Sequence, residues 1–144
     1  MKIAIVNGPN LNLTGYRQPE IYGSRTFESF LAELDLEYSD AEFVYLQSNV
    51  EGELINYLQE LDKQADIVGV VLNAGGYTHT SVALADAVAA ISIPVIEVHM
   101  SNVFAREDHR HVSYIGRECI GSVSGFGFDS YKLAIEHLRS LKGN

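Results

Sequence analysis

The sequence predicts an α/β fold, a three-layer sandwich in which helices cover both faces of a five-stranded parallel sheet. Short, uninterrupted apolar runs alternate with amphipathic stretches of helical period. Strands that are apolar on both faces belong to parallel sheets covered on both sides. Five such strands in 144 residues suit one domain, residues 1–144, with a flavodoxin-like arrangement.

Lys2 to Val6 is the first strand, ended by the turn sequence Asn7-Gly8-Pro9-Asn10. Phe27, Phe30, Leu31 and Leu34 fall at helical spacing and predict a helix over Phe27 to Tyr38. Phe43 to Leu46 is a second strand. Leu54, Ile55, Leu58 and Leu61 mark a second helix. Ile67 to Leu72 is a continuous apolar strand that stops at Asn73-Ala74-Gly75-Gly76, and Ser81 to Ile91 is an Ala-rich helix. Pro94 to Val98 and Ile120 to Val123 are the last strands. Tyr131 to Leu141 is the final helix, with Asp129 or Ser130 as its expected cap.

Composition narrows the function classes. With 47% apolar and 20% charged residues, the chain is not disordered. Its apolar stretches fall well short of the roughly 18 residues of a membrane span. The opening residues read as a buried strand and not as a signal peptide. A single cysteine, Cys119, excludes an intrachain disulfide and a cysteine zinc site, so a reducing, cytoplasmic setting is expected. Ten basic against 19 acidic residues give a net charge of −9, which argues against nucleic acid as a partner. Between Thr26 and Asp66 stand 11 acids and one base, Lys63. The remainder is near neutral and carries Arg106, Arg110 and Arg117 as a basic island able to hold a small anion.

Open parallel sheets bind ligands at the carboxyl ends of their strands, so the residues just after each strand are informative. After the first strand come Asn7, Asn10 and Asn12, then a long stretch from Thr14 to Arg25 that suits a lid. In it, Arg17 and Tyr22 form a proton-transfer pair if the loop folds back, because a guanidinium favours phenolate. After the third strand stand Asn73, Gly75, Gly76 and His79. Were His79 and Asp86 on one helix, their spacing of seven would leave them about 20° apart. Leu84, Val88 and Ile91 mark the buried side, which turns Asp86 outward to solvent, ligand or another subunit.

The fourth strand carries the sharpest signal. Glu97 and His99 alternate with Ile96 and Val98, so both polar side chains share one face at the carboxyl end. A carboxylate beside an imidazole fixes its tautomer and favours imidazolium, which prepares a general acid; a purely structural pair would look the same. Ser101 and Asn102 follow with free backbone donors. Arg106 and Arg110 would align on one helical turn and suit a carboxylate, or pair locally with Glu107 and Asp108. No spacing of His, Asp or Glu matches a metal site, and no nucleophile elbow, Walker loop or dinucleotide fingerprint is present.

Three separated motifs resemble the type II 3-dehydroquinate dehydratases. Asn7-Gly8-Pro9-Asn10-Leu11-Asn12-Leu13 followed by Arg17-x-Pro19-Glu20-Ile21-Tyr22-Gly23 is similar to that family's opening. Leu72-Asn73-Ala74-Gly75-Gly76-Tyr77-Thr78-His79-Thr80-Ser81 resembles its middle motif. Glu97-Val98-His99-Met100-Ser101-Asn102-Val103-Phe104-Ala105-Arg106 resembles its third. The resemblance implies reversible anti dehydration of 3-dehydroquinate through an enolate, without cofactor or metal. It makes Tyr22 the base at C2, Arg17 the stabiliser of its phenolate, and Asn10 a holder of the enolate oxygen. His99 becomes the acid at the C1 hydroxyl, oriented by Glu97. Asn73, His79, Asp86, Met100, Ser101 and Arg110 become the substrate site, and the assembly a dodecamer of trimers.

The chain departs from this pattern at Thr14, His109, Val112, Ser122, Ser124 and Ser130. Two other readings share the fold. A flavin or nucleotide carrier would suit the acidic charge and Gly-rich loops, and would be coloured. A receiver domain needs clustered acids after the first strand and a lysine after the fifth, where this chain has neither.

Overall fold

The computed structural model describes residues 1–143 apart from Gln18 and Gly23, with Ile21 and Tyr22 described by their backbone alone. Strands β1 (Lys2–Asn7), β2 (Glu42–Gln47), β3 (Ile67–Asn73), β4 (Val95–His99) and β5 (Gly121–Ser124) form one parallel sheet in the order β2-β1-β3-β4-β5. That order is the flavodoxin-like one, with its switch point between β1 and β3. The helices are α1 (Pro19–Tyr22), α2 (Phe27–Glu37), α3 (Glu51–Asp62), α4 (Val82–Ala90) and α5 (Asp129–Lys142), joined in places by single 3₁₀ turns.

Strand alternation divides the core in two. Ile3, Ile5, Val71, Ile96 and Val98 face α2 and α5. Ala4, Val6, Val70, Leu72 and Val95 face α3 and α4. The first layer is rich in aromatics. Phe27 stands edge-on to Tyr131 at 5.0 Å and Phe30 lies 4.7 Å from Phe128. Each such pair is worth about 0.5–1.5 kcal/mol beyond its burial.

The helices begin and end for local reasons. The Thr26 hydroxyl accepts from Ser29 N–H and caps α2, and Ser81 does the same for α4 through Leu84 N–H. The cap expected at Asp129 or Ser130 is instead Phe128, which gives no side-chain bond. Ser130 is the second residue of α5, fully buried, and its hydroxyl accepts from Phe126 N–H. Thr14, also buried, donates its hydroxyl to the Leu11 carbonyl at 2.8 Å. Two of the departures from the family pattern are thus internally satisfied polar groups.

Candidate active site

The chain leaves β1 toward β2 and leaves β3 toward β4, so the loops after β1 and β3 part and open a crevice. Their backbones touch at its root. Gly8 N–H donates to the Asn73 carbonyl at 2.7 Å, and a Cβ on Gly8 would stand 2.4 Å from the Ala74 oxygen. Only glycine fits there. Asn10 follows in the left-handed region at φ 70°, a conformation that asparagine tolerates better than most residues. Its N–H donates to Asn49 Oδ1 at 3.0 Å, and the same oxygen accepts from Gln47.

A cavity of about 240 Å³ occupies this crevice. The loop after β1 contributes Asn10 and Arg17, the loop after β3 contributes Asn73 and His79, and the end of β4 contributes His99, Met100 and Ser101. Arg106 and Arg110 close the rim. Among the described residues the wall therefore holds three arginines and two histidines and no acidic side chain, which suits a small anion. Arg106 and Arg110 of the basic island converge on this space with the strand-end residues, whereas Arg117 does not line it.

Glu97 and His99 lie on the α3/α4 face of β4, as period two requires, and are only 4% and 7% exposed. His99 Nε2 stands 3.6 Å from Glu97 Oε1. Burial alone would raise the Glu97 carboxyl, but the adjacent His99 ring and hydrogen bonds from Ser113 and, adding less, Ser122 hold it below the usual carboxylate range. The pair is therefore a buried carboxylate beside an imidazole. His79 stacks on His99 with ring centroids 6.1 Å apart. Its Nδ1 is 2.7 Å from the Val112 carbonyl, which fixes Nδ1 as the protonated nitrogen and leaves Nε2 as an acceptor. Burial lowers the His79 pKa, and the neighbouring His99 and Arg110 lower it further. Val112, a departure in the sequence, thus acts through its carbonyl and not its side chain.

Two spacing arguments need correction. His79 and Asp86 do not share a helix: His79 ends a 3₁₀ turn (Gly75–His79), and α4 starts afresh after the Ser81 cap. Arg106 and Arg110 do not share a helical turn either. Arg106 precedes the 3₁₀ turn Asp108–His111 and donates to Ser101 Oγ at 3.3 Å, whereas Arg110 pairs with Glu107 at 2.5 Å. Both still reach the cavity because the turns fold over its rim. Asp86 is exposed on α4 and does not line the cavity of its own chain. The Tyr22 side chain lies outside the described residues, so the expected Arg17–Tyr22 pair does too. No lysine lines the cavity among the described residues.

Residue reading alone missed the supports of the site: Asn49 beneath Asn10, Ser113 and Ser122 around Glu97, and Tyr131 behind Asn73. Ser122 had a signal only once β5 is paired with β4, because it then stands directly beside Glu97. Among the described residues, no group of three or more His, Cys, Asp or Glu is placed to hold a metal ion.

The chain is similar to known proteins over nearly its whole length. The family model described as dehydroquinase class II matches residues 1–139. A 3-dehydroquinate dehydratase of Exiguobacterium sp. is 50% identical over 97% of this chain and 98% of its own. One from Fusobacterium nucleatum is 50% identical over 96% of both chains. The crystal structure of the type II dehydroquinase from Butyrivibrio crossotus superposes with a TM-score of 0.89 at 43% identity, covering 96% of this chain and 97% of that one. A flavodoxin-like sheet, an arginine-lined crevice at its switch point and full-length similarity of this order place the chain in the class II dehydroquinase family.

Proposed function

We propose that the chain is one catalytic domain, residues 1–144, a hydro-lyase that interconverts 3-dehydroquinate and 3-dehydroshikimate. The observation that carries this reading is His99, paired with the buried Glu97 behind it, in the wall of a cavity that three arginines line among the described residues. A proton α to a ketone needs a base and stabilisation of the enolate, and a hydroxyl leaving group needs an acid. Tyr22 removes the C2 proton as a phenolate that Arg17 favours. Asn10, held at the cavity mouth by Asn49, takes the enolate oxygen directly or through a water. His99, oriented by Glu97, protonates the C1 hydroxyl, which leaves as water while the enolate electrons form the C1–C2 double bond. Atoms balance with no co-reactant.

Asn73, Met100 and Ser101 bind the carboxylate end. The Met100 carbonyl is already taken by Gly127 N–H at 2.9 Å, which fixes the backbone there. His79 offers its Nε2 to a substrate hydroxyl, and Arg110 exchanges Glu107 for the substrate. Asp86 completes the site from a neighbouring subunit, in trimers that assemble to twelve chains. The enzyme serves aromatic biosynthesis or quinate breakdown in the cytoplasm. No helix among the described residues is long and apolar enough to cross a membrane.

The direct test is absorbance of the conjugated enone after adding 3-dehydroquinate to the purified chain. A growing band supports the reading. A coloured protein without turnover would favour the carrier.

A further inference from the structure

We infer that Ser113, seconded by Ser122, is a positioning residue for the leaving-group half of the reaction, holding the Glu97 carboxylate that orients His99. The inference rests on the proposed dehydration.

Glu97 is buried, so its oxygens depend on the protein for donors. Ser113 Oγ accepts from Gly116 N–H at 2.8 Å and contacts Glu97 Oε2. A hydroxyl has one proton, and with a lone pair turned to Gly116 that proton goes to the carboxylate. Ser122 sits in register beside Glu97 across β4 and β5, and its hydroxyl donates to Oε1 at 2.9 Å. Gly116 keeps the space open: a Cβ there would lie 3.1 Å from both Glu97 Oε1 and Ser113 Oγ. Each carboxylate oxygen is thereby fixed by one hydroxyl, and Oε1 retains a lone pair for His99 Nε2.

The hydroxyls also set chemistry. A buried carboxylate without donors is a stronger base and would draw the His99 proton to itself. Donation from Ser113 and Ser122 spreads its charge, so Glu97 orients the imidazolium without quenching it as an acid. Neither serine lines the cavity, so both act through Glu97.

The experiment compares Ser113→Ala, Ser113→Thr, Ser122→Val and Ser122→Thr in the full chain. Steady-state kcat and KM are measured, with deuterium wash-in at C2 of 3-dehydroquinate followed separately. Ser113→Ala should lower kcat about tenfold, leave KM within about twofold, and spare C2 exchange. Ser113→Thr should recover most of the loss. Ser122→Val, isosteric with Thr but lacking the hydroxyl, should turn over about two- to threefold slower than Ser122→Thr. Normal kcat in Ser113→Ala, or equal loss of exchange and elimination, overturns the inference. If Ser113→Ala does not fold, the Ser122 pair decides: equal turnover of the Val and Thr variants overturns it. Absence of turnover in the unsubstituted chain overturns the activity itself, and this inference with it.

Discussion

Asn73 Nδ2 donates to the phenol oxygen of Tyr131 at 2.8 Å, joining the end of β3 to the first turn of α5 across 58 residues of sequence. The phenol in turn donates to Asn7 Oδ1 at 2.8 Å, and Asn73 Oδ1 accepts from Gly75 N–H at 3.2 Å. Tyr131 is fully buried and burial keeps it neutral, so this network is structural support under the cavity and not an acid–base group. Tyr131→Phe should cost about 1–3 kcal/mol by stranding buried amides. It should raise KM more than it lowers kcat, since Asn73 is placed for binding. Urea unfolding and steady-state kinetics check this, and unchanged stability would refute the linkage.

The Arg17 and Tyr22 assignment predicts a paired phenotype. Tyr22→Phe should lower kcat by about 10²–10⁴, the range for loss of a general base, with folding intact. Arg17→Ala should shift the activity profile toward alkaline pH. Near-normal turnover in the first variant, or an unshifted profile in an active second one, contradicts the assignment.

His99→Ala should suppress elimination more than C2 proton exchange, because the base is untouched. Measuring deuterium wash-in beside enone formation separates the two steps. A common factor for both losses would remove His99 as the specific leaving-group acid.

Asp86 is exposed on its own chain, yet the proposed site needs it. Asp86→Ala and His99→Ala subunits should each be impaired alone. Mixed after reversible dissociation, they should regain activity, because some sites then combine an intact His99 with a neighbour's intact Asp86. No recovery, or a fully active monomer by sedimentation, argues against a shared site.

Acid should weaken the fold in two stages. His79 titrates below 6.5 in the folded chain because it is partly buried beside His99 and Arg110. The unfolded chain then binds more protons, so this contribution is complete above pH 6.5 and declines as pH falls through the folded pKa. Glu97 titrates below the usual carboxylate value of 4.5 despite its burial, because the His99 ring lies beside it and Ser113 donates to it. Its contribution is complete above pH 4.5 and is lost as pH drops below the folded value. Urea midpoints against pH should therefore decline at both steps. His79→Gln should flatten the upper one, and an unaltered slope would exclude His79 as its source.

The sheet, its helices and the Glu97–His99 face were legible because periodicity is local. Alternation in β4 puts two polar groups on one side whatever surrounds them. Motif resemblance added the roles proposed for Tyr22, Arg17 and Asn10, which spacing alone could not assign. Local order also misled: the spacing of four between Arg106 and Arg110 looks like a helical turn, but Arg106 ends one short 3₁₀ turn, Arg110 lies in the next, and the two reach the cavity by loop folding. Likewise, the capped start of α4 at Ser81 separates His79 from Asp86.

The sequence by itself determined which strands are buried on both faces and which strand ends carry ionisable groups, since both follow from side-chain alternation along the chain. Only the tertiary structure decided what surrounds those groups. Ser122 reaches Glu97 through strand pairing, Tyr131 reaches Asn73 across the sandwich, and Asn49 reaches Asn10 from the neighbouring loop. The physical reason is that a buried polar group must find a partner wherever the packed chain offers one, and that partner is near in space and distant in sequence.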